Sequence, residues 1–271
     1  MAETAAAART LVHYEVREGV AWLTLDDPPA NTYTHEMMLQ LDAAILRARF
    51  DESVHVMVVT GAGEKMFCAG ANINMLKASD PTFKYYFCLH ANETLSRLEQ
   101  TPKLVIAALN GNTVGGGLEI AMAADLRLAR RGGFKLGLPE VSLGVLPGTG
   151  GTQRLVRIVG KSRAIELMVT GRLFSVEEAE RMGVVDLVLD ADSPAAFLEQ
   201  VQTYARQFCP PAKAARAVGR IKRSVQSGAE VPFESALTLE RELQQQLFQS
   251  EDAKEGLAAY IEKRPPAFKA R

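Results

Sequence analysis

After an alanine-rich opening, the chain reads "LVHYEVREGVAWLTLDD", in which apolar and polar residues first alternate and then give way to an apolar run. Alternation predicts a half-buried strand and an apolar run a fully buried one, with the turn at Glu18-Gly19. "THEMMLQLDAAILRARF" changes period: Met37, Met38, Leu41 and Ile45 fall on one side of a helix, and Thr34 is placed to cap it. "VHVMVVTGAG" and "LVIAALNG" read as short buried strands ended by glycine. Between them "DPTFKYYFCLHANETLSRLEQ" is a helix with an aromatic stripe, which is expected to pack into the core rather than to form a cofactor box. "ADLRLAR" and "VVDLVLD" add further strands. Strands that alternate with helices imply an α/β fold with largely parallel pairing. From about Asp190 the pattern turns almost wholly helical, through "SPAAFLEQVQTYARQFC", "PAKAARAVGRIKRSVQSG" and "VPFESALTLERELQQQLFQ" to "EDAKEGLAAYIEKR", which Ser250 is placed to cap. The expected organisation is therefore a leader at 1–10, a core at 11–192 and a helical region at 193–271.

Composition narrows the function. With 271 residues, 47% of them hydrophobic, the chain can bury a large core. Its formal net charge of −1, without any block of like charge, argues against a dedicated nucleic-acid partner. No apolar stretch reaches the roughly 18 residues of a membrane span, and the opening "MAETAAAARTL" lacks the apolar run of a signal peptide. A cytoplasmic enzyme or binding protein is the expectation. Cys68, Cys88 and Cys209 show no paired spacing, so neither a disulfide framework nor a metal site is expected.

Several familiar chemistries fail on spacing. "VGKS" at 159–162 lacks the upstream glycine of a phosphate loop, since position 155 is Leu, and "GNTVGGG" has the wrong spacing for a dinucleotide turn. No GxSxG elbow occurs, and the four histidines lie far upstream of the glycine-rich stretch. Cys68 in "FCAGAN" reads as a small buried filler in preference to a thiolate. What remains is "NTVGGGLEIAMAADLRLARRGGFKLGLPEVSLGVLPGTGG", with Glu119 and Glu140 set beside glycine and proline turns among apolar residues. Two carboxylates facing one cavity can divide acid and base duties, because burial raises a carboxyl pKa toward working pH. Two helix-terminal charges on their dipoles would give the same spacing. The glycines favour chemistry: a glycine run at a helix start, and "CAGAN" after a strand, both expose backbone N–H groups that suit an oxyanion.

With these residues the sequence resembles the crotonase, or enoyl-CoA hydratase/isomerase, superfamily. The resemblance lies in "TGAGEKMFCAGANINML", "AALNGNTVGGGLEIAMAADLRLA", "GLPEVSLGVLPGTGGTQRL", "TGRLFSVEEAERMGVVD" and "EGLAAYIEKR". It implies a spiral of ββα units followed by a helical region used in assembly, usually into trimers that pair as hexamers. It implies an acyl-CoA substrate, the thioester chemistry of fatty acid β-oxidation, and no cofactor beyond the coenzyme A of the substrate. Carried over, Glu119 and Glu140 are the two acids, Ala69 and Gly116 the backbone donors to the thioester oxygen, and Gly148 the N–H that positions water. Ala30, Cys68, Gly70, Ala71, Asn72 and Ile73 would meet the substrate or its CoA. Tyr260 and Lys263 of the last helix would approach the CoA of a neighbouring subunit.

The chain departs from the family pattern at Asn72, where Asp is frequent, and at Pro29, where a basic residue is frequent. The residues 74–87 are expected to line the acyl pocket, with Phe83, Tyr85, Tyr86 and Phe87 hinting at a bulky or cyclic acyl group. Possession of both acids favours a 2-enoyl-CoA hydratase. A Δ3,Δ2-enoyl-CoA isomerase, needing mainly one glutamate, and a non-catalytic binding protein of the same fold are the alternatives.

Overall fold

The first two strands are built as the sequence pattern requires. In the computed structural model, which describes residues 9–271, β1 (Val12–Arg17) pairs antiparallel with β2 (Val20–Leu25) across the Glu18-Gly19 turn. Both turn residues have positive φ, 48° and 82°, which matches the twist of a tight hairpin. The expected leader falls, through residue 8, outside the described residues; Arg9 and Thr10 are exposed.

From β2 onward the pairing becomes parallel, through β3 (Val56–Gly61), β5 (Leu104–Leu109), β7 (Leu126–Arg130) and β10 (Leu187–Leu189), giving six strands in the order β1-β2-β3-β5-β7-β10. The apolar runs of the central strands follow from burial on both faces. Ala21, Leu23, Met57, Val59, Val105 and Ala107 face one core, which α1 (His35–Phe50) and α3 (Pro81–Gln100) complete. The alternate residues Val20, Trp22, Val56, Val58, Ile106 and Ala108 face the other, where α8 (Pro194–Arg206) sets Phe197, Val201 and Ala205 on them at a spacing of four. Trp22 Nε1 donates to Gln202 Oε1 at 2.7 Å, satisfying the indole within that layer. So α8 belongs to the core, although the sequence sets it apart with the later helices.

Short strands alternate with the long ones. β4 (Met66–Cys68), β6 (Asn112–Val114), β8 (Lys135–Gly137) and β9 (Phe174–Ser175) form a second sheet, parallel except for the last pair. The middle turns, β3-β4, β5-β6 and β7-β8, each give one strand to each sheet before a helix, which is the expected ββα spiral, while β1 and β2 both stay in the large sheet. β4, β6 and β8 run parallel, so their C-terminal ends reach one edge together. Those ends continue into Ala69–Ala71, into Gly115 and α4 (Gly116–Met122), and into Pro139-Glu140.

The aromatic stripe of α3 is not core packing as expected. Only Phe87 is buried, whereas Phe83, Tyr85 and Tyr86 are 38%, 66% and 61% exposed. The remaining C-terminal helices are α9 (Ala215–Gly228), α10 (Phe233–Phe248) and α11 (Glu251–Glu262). Ser250 caps α11 by accepting from Ala253 N–H. These helices leave Phe233, Phe248, Leu257, Tyr260 and Ile261 exposed.

Candidate active site

The glycine run at the start of α4 is a matter of space. Gly115 sits at φ 57°, ψ −133°, a conformation open to glycine and hardly to other residues. A Cβ on Gly117 would strike the carbonyl of Cys68, so β4 and α4 can approach this closely only without a side chain. The close approach brings the amide of Gly116 beside Gly70, where an added Cβ would come within 2.9 Å of that nitrogen. Among the described residues the Gly116 N–H has no protein acceptor.

The partner donor differs from the one carried over in sequence. Ala69 N–H donates to the Ala30 carbonyl at 3.0 Å, so it is not available to a ligand. Two residues on, the Ala71 peptide is bracketed by Tyr33, whose N–H donates to Gly70 O and whose carbonyl accepts from Asn72 N–H, each at 2.9 Å. The Ala71 N–H between them has no acceptor among the described residues. The available pair is therefore Ala71 and Gly116. The sequence shows two alanines two apart in "CAGAN" but not which amide the loop spends internally.

Glu119 lies one turn into α4 and is 2% exposed. Its Oε1 accepts from Thr149 N–H and Gly151 N–H, both at 2.7 Å. Burial nevertheless pushes its pKa up, against the lowering effect of those donors and of Arg154. The donors sit on the turn between Pro147 and α5 (Gly151–Val159), which is itself pinned: Asn92 donates to Gly148 O at 3.2 Å, and Arg154 reaches Thr149 O while paired with Glu99 at 2.9 Å. The Gly148 N–H has no acceptor among the described residues, and it lies beside Cys88, since a Cβ on Gly148 would be 3.1 Å from the Cys88 sulfur.

Glu140 begins a 3-10 turn, Glu140–Leu143, after β8. Its Oε1 lies over Gly115, 3.1 Å from where a Cβ would stand, and its buried Oε2 has no hydrogen-bond partner among the described residues. Burial and, less strongly, the charge of Glu119 push its pKa up to about 7, partly opposed by its own backbone N–H and by Lys84 of α3. The two acids thus sense each other across the Gly115–Gly116 turn but sit in different surroundings: Glu119 is held by two amides of another turn, whereas Glu140 receives its own backbone N–H.

The other residues singled out in sequence divide. Cys68 is wholly buried, its thiol pushed up to about 12, so it offers a ligand no surface and is a filler, not a CoA contact. Gly70 is buried, at φ 90°. Asn72 caps α2 (Ile73–Ala78) by accepting from Met75 N–H, and donates to Thr32, so its side chain is spent on the loop. Ile73 is 55% exposed beside it, and Ala30 is half-buried. Tyr260 and Lys263 lie at the exposed end of α11, and among the described residues no hydrogen bond or ion pair joins them to the glutamates. Tyr33 and Thr149, absent from the sequence reading, are the additions. No motif marks them, because they meet only through the fold.

Comparison with known proteins agrees with this geometry. The enoyl-CoA hydratase/isomerase family model matches residues 15–271. A short-chain-enoyl-CoA hydratase of Clostridium acetobutylicum is 37% identical over 92% of this chain and 94% of its own. An (E)-benzylidenesuccinyl-CoA hydratase of Thauera aromatica is 38% identical over 95% of this chain and 98% of its own. A crystal structure of an enoyl-CoA hydratase from Geobacillus kaustophilus HTA426 superposes with a TM-score of 0.93 at 43% identity, covering 98% of each chain. On its fold, its paired glutamates and these likenesses, the chain belongs to the enoyl-CoA hydratase/isomerase family.

Proposed function

We propose that this protein adds water across the 2,3 double bond of a 2-enoyl-CoA thioester. The supporting observation is the division between the two buried acids. Glu119, anchored as an acceptor by two amides, suits a base that takes a proton from water attacking C3. Glu140, with a pKa near 7, keeps a proton available to Cα up to about pH 7, where an ordinary glutamate has lost it. The electron pair of the double bond moves toward the thioester oxygen, and the unpaired amides of Ala71 and Gly116 are placed to hold the resulting enolate. After one turnover Glu119 carries a proton and Glu140 lacks one, and exchange with solvent restores both. Gly148 N–H is a donor for the attacking water, and the exposed Ile73 a surface for the CoA.

Assembly into trimers or hexamers belongs to the same reading. Phe233, Phe248, Leu257 and Ile261 are exposed on the last helices, and assembly would cover them. Tyr260 and Lys263 then meet the CoA of a neighbouring subunit. Incubation with crotonyl-CoA is the test: the absorbance of the conjugated thioester should fall and the product should gain one water in mass. Conversion of a 3-enoyl-CoA to its 2-enoyl isomer without uptake of water would instead identify an isomerase. Inertness toward both would leave a binding protein.

A further inference from the structure

The hydration proposed above needs three groups fixed relative to one another: the Ala71 amide, the Gly116 amide and the Glu119 carboxylate. Tyr33 touches the support of each. Its backbone N–H and C=O bracket the Ala71 peptide, at 2.9 Å on both sides. Its hydroxyl lies so close to Gly116 that a Cβ there would collide with it. The same hydroxyl is 3.1 Å from Thr149 Oγ1, and the Thr149 amide donates to Glu119 Oε1 at 2.7 Å. Tyr33 and Thr149 are each 2% exposed, and the Tyr33 ring is fixed against Phe87 at 5.8 Å between centroids.

We infer that Tyr33 is a positioning residue for the reaction: its hydroxyl, acting through Thr149, sets the orientation and ionisation of Glu119 while its backbone holds the Ala71 donor. This rests on the reading of Glu119 as the base. A buried hydroxyl needs a partner, and among the described residues Thr149 Oγ1 is the one Tyr33 has. The Tyr33–Thr149 bond fixes the Thr149 side chain, and with it the amide that donates to Glu119. A donor to the ionised form lowers a carboxyl pKa and offsets part of what burial does. A tyrosine that only filled space would have no such effect, and phenylalanine would replace it without consequence for the carboxylate.

The test compares Tyr33→Phe, Thr149→Val, their double variant and Thr149→Ser. The Glu119 carboxylate is titrated by infrared difference spectroscopy, with Glu119→Gln identifying its band. Tyr33→Phe keeps the ring and both backbone bonds. It should raise the Glu119 midpoint by about half a pH unit to one unit. On crotonyl-CoA it should lower kcat roughly tenfold, with KM within about twofold. Thr149→Val should move the midpoint the same way, the double variant should be no worse than Thr149→Val alone, and Thr149→Ser should restore the wild-type titration. An unmoved Glu119 midpoint in a folded Tyr33→Phe, or additive losses in the double variant, would overturn the inference whatever the rates. If wild type shows no hydration, the proposed function falls separately, and the infrared midpoint still decides the role of Tyr33. If Tyr33→Phe does not fold, an unmoved midpoint in Thr149→Val would likewise reject the inference.

Discussion

Replacing Glu140 with Gln should make the protein more stable in alkali while removing its activity. The carboxyl is held near 7 against an ordinary value of 4.5, because burial strips water from the carboxylate and Glu119 adds like charge. At about 1.36 kcal/mol per pH unit, that gap makes ionising Glu140 inside the fold cost about 3 kcal/mol. A carboxyl whose pKa is raised by folding binds its proton more tightly in the folded chain. Its contribution to stability is therefore full below about pH 4.5, declines as the pH climbs to 7, and is gone above. Gln matches the shape and never ionises. Relative to wild type, Glu140→Gln should gain nothing near pH 4.5 and up to about 3 kcal/mol at pH ~8.5, roughly 5–10 °C in Tm for a chain of this size. Urea unfolding at the two pH values, with subunit concentration fixed, reads the difference directly. Equal stability of the two proteins at pH ~8.5 would refute the reasoning, since Glu140 would then ionise without strain and have no special hold on its proton. The same variant should lose about 10² to 10⁴-fold in hydration.

Glu119→Gln should also cost about 10² to 10⁴-fold in turnover, and a folded variant hydrating crotonyl-CoA at near-normal rate would exclude a two-acid mechanism. Gly116→Val should fail on both counts: the new side chain meets the buried Tyr33 hydroxyl, so a thermal melt should show lost stability alongside lost activity. A stable but inactive Gly116→Val would show that Tyr33 can move aside. If the proposed assembly is right, Lys263→Ala should raise the KM for a CoA thioester with kcat little changed, an effect that shrinks at high salt; an unchanged KM at low salt counts against the contact.

The sequence by itself determined the elements and the two acids. Period-two alternation and apolar runs marked β1 to β3 and β5, because a strand buried on both faces has no polar position to spare. Thr34 and Ser250 announced helix starts through the donors their side chains satisfy. Glu119 and Glu140 stood out because carboxylates are rarely placed among glycines and apolar residues, and the family motif lies in the same local stretches. Tertiary structure decided what depends on distance across the chain. Amide N–H groups look alike in sequence, and only the pairing of Ala69 with Ala30 shows that Ala71 is the donor left free. The same holds for α8, whose amphipathic face fits a subunit interface as well as the sheet until Trp22 and Phe197 are seen in one layer. Tyr33 and Thr149 lie 116 positions apart. Nothing local requires a tyrosine in "NTYT"; its significance arises when the ends of β4 and β6 and the turn before α5 converge on it and, among the described residues, leave its buried hydroxyl one partner.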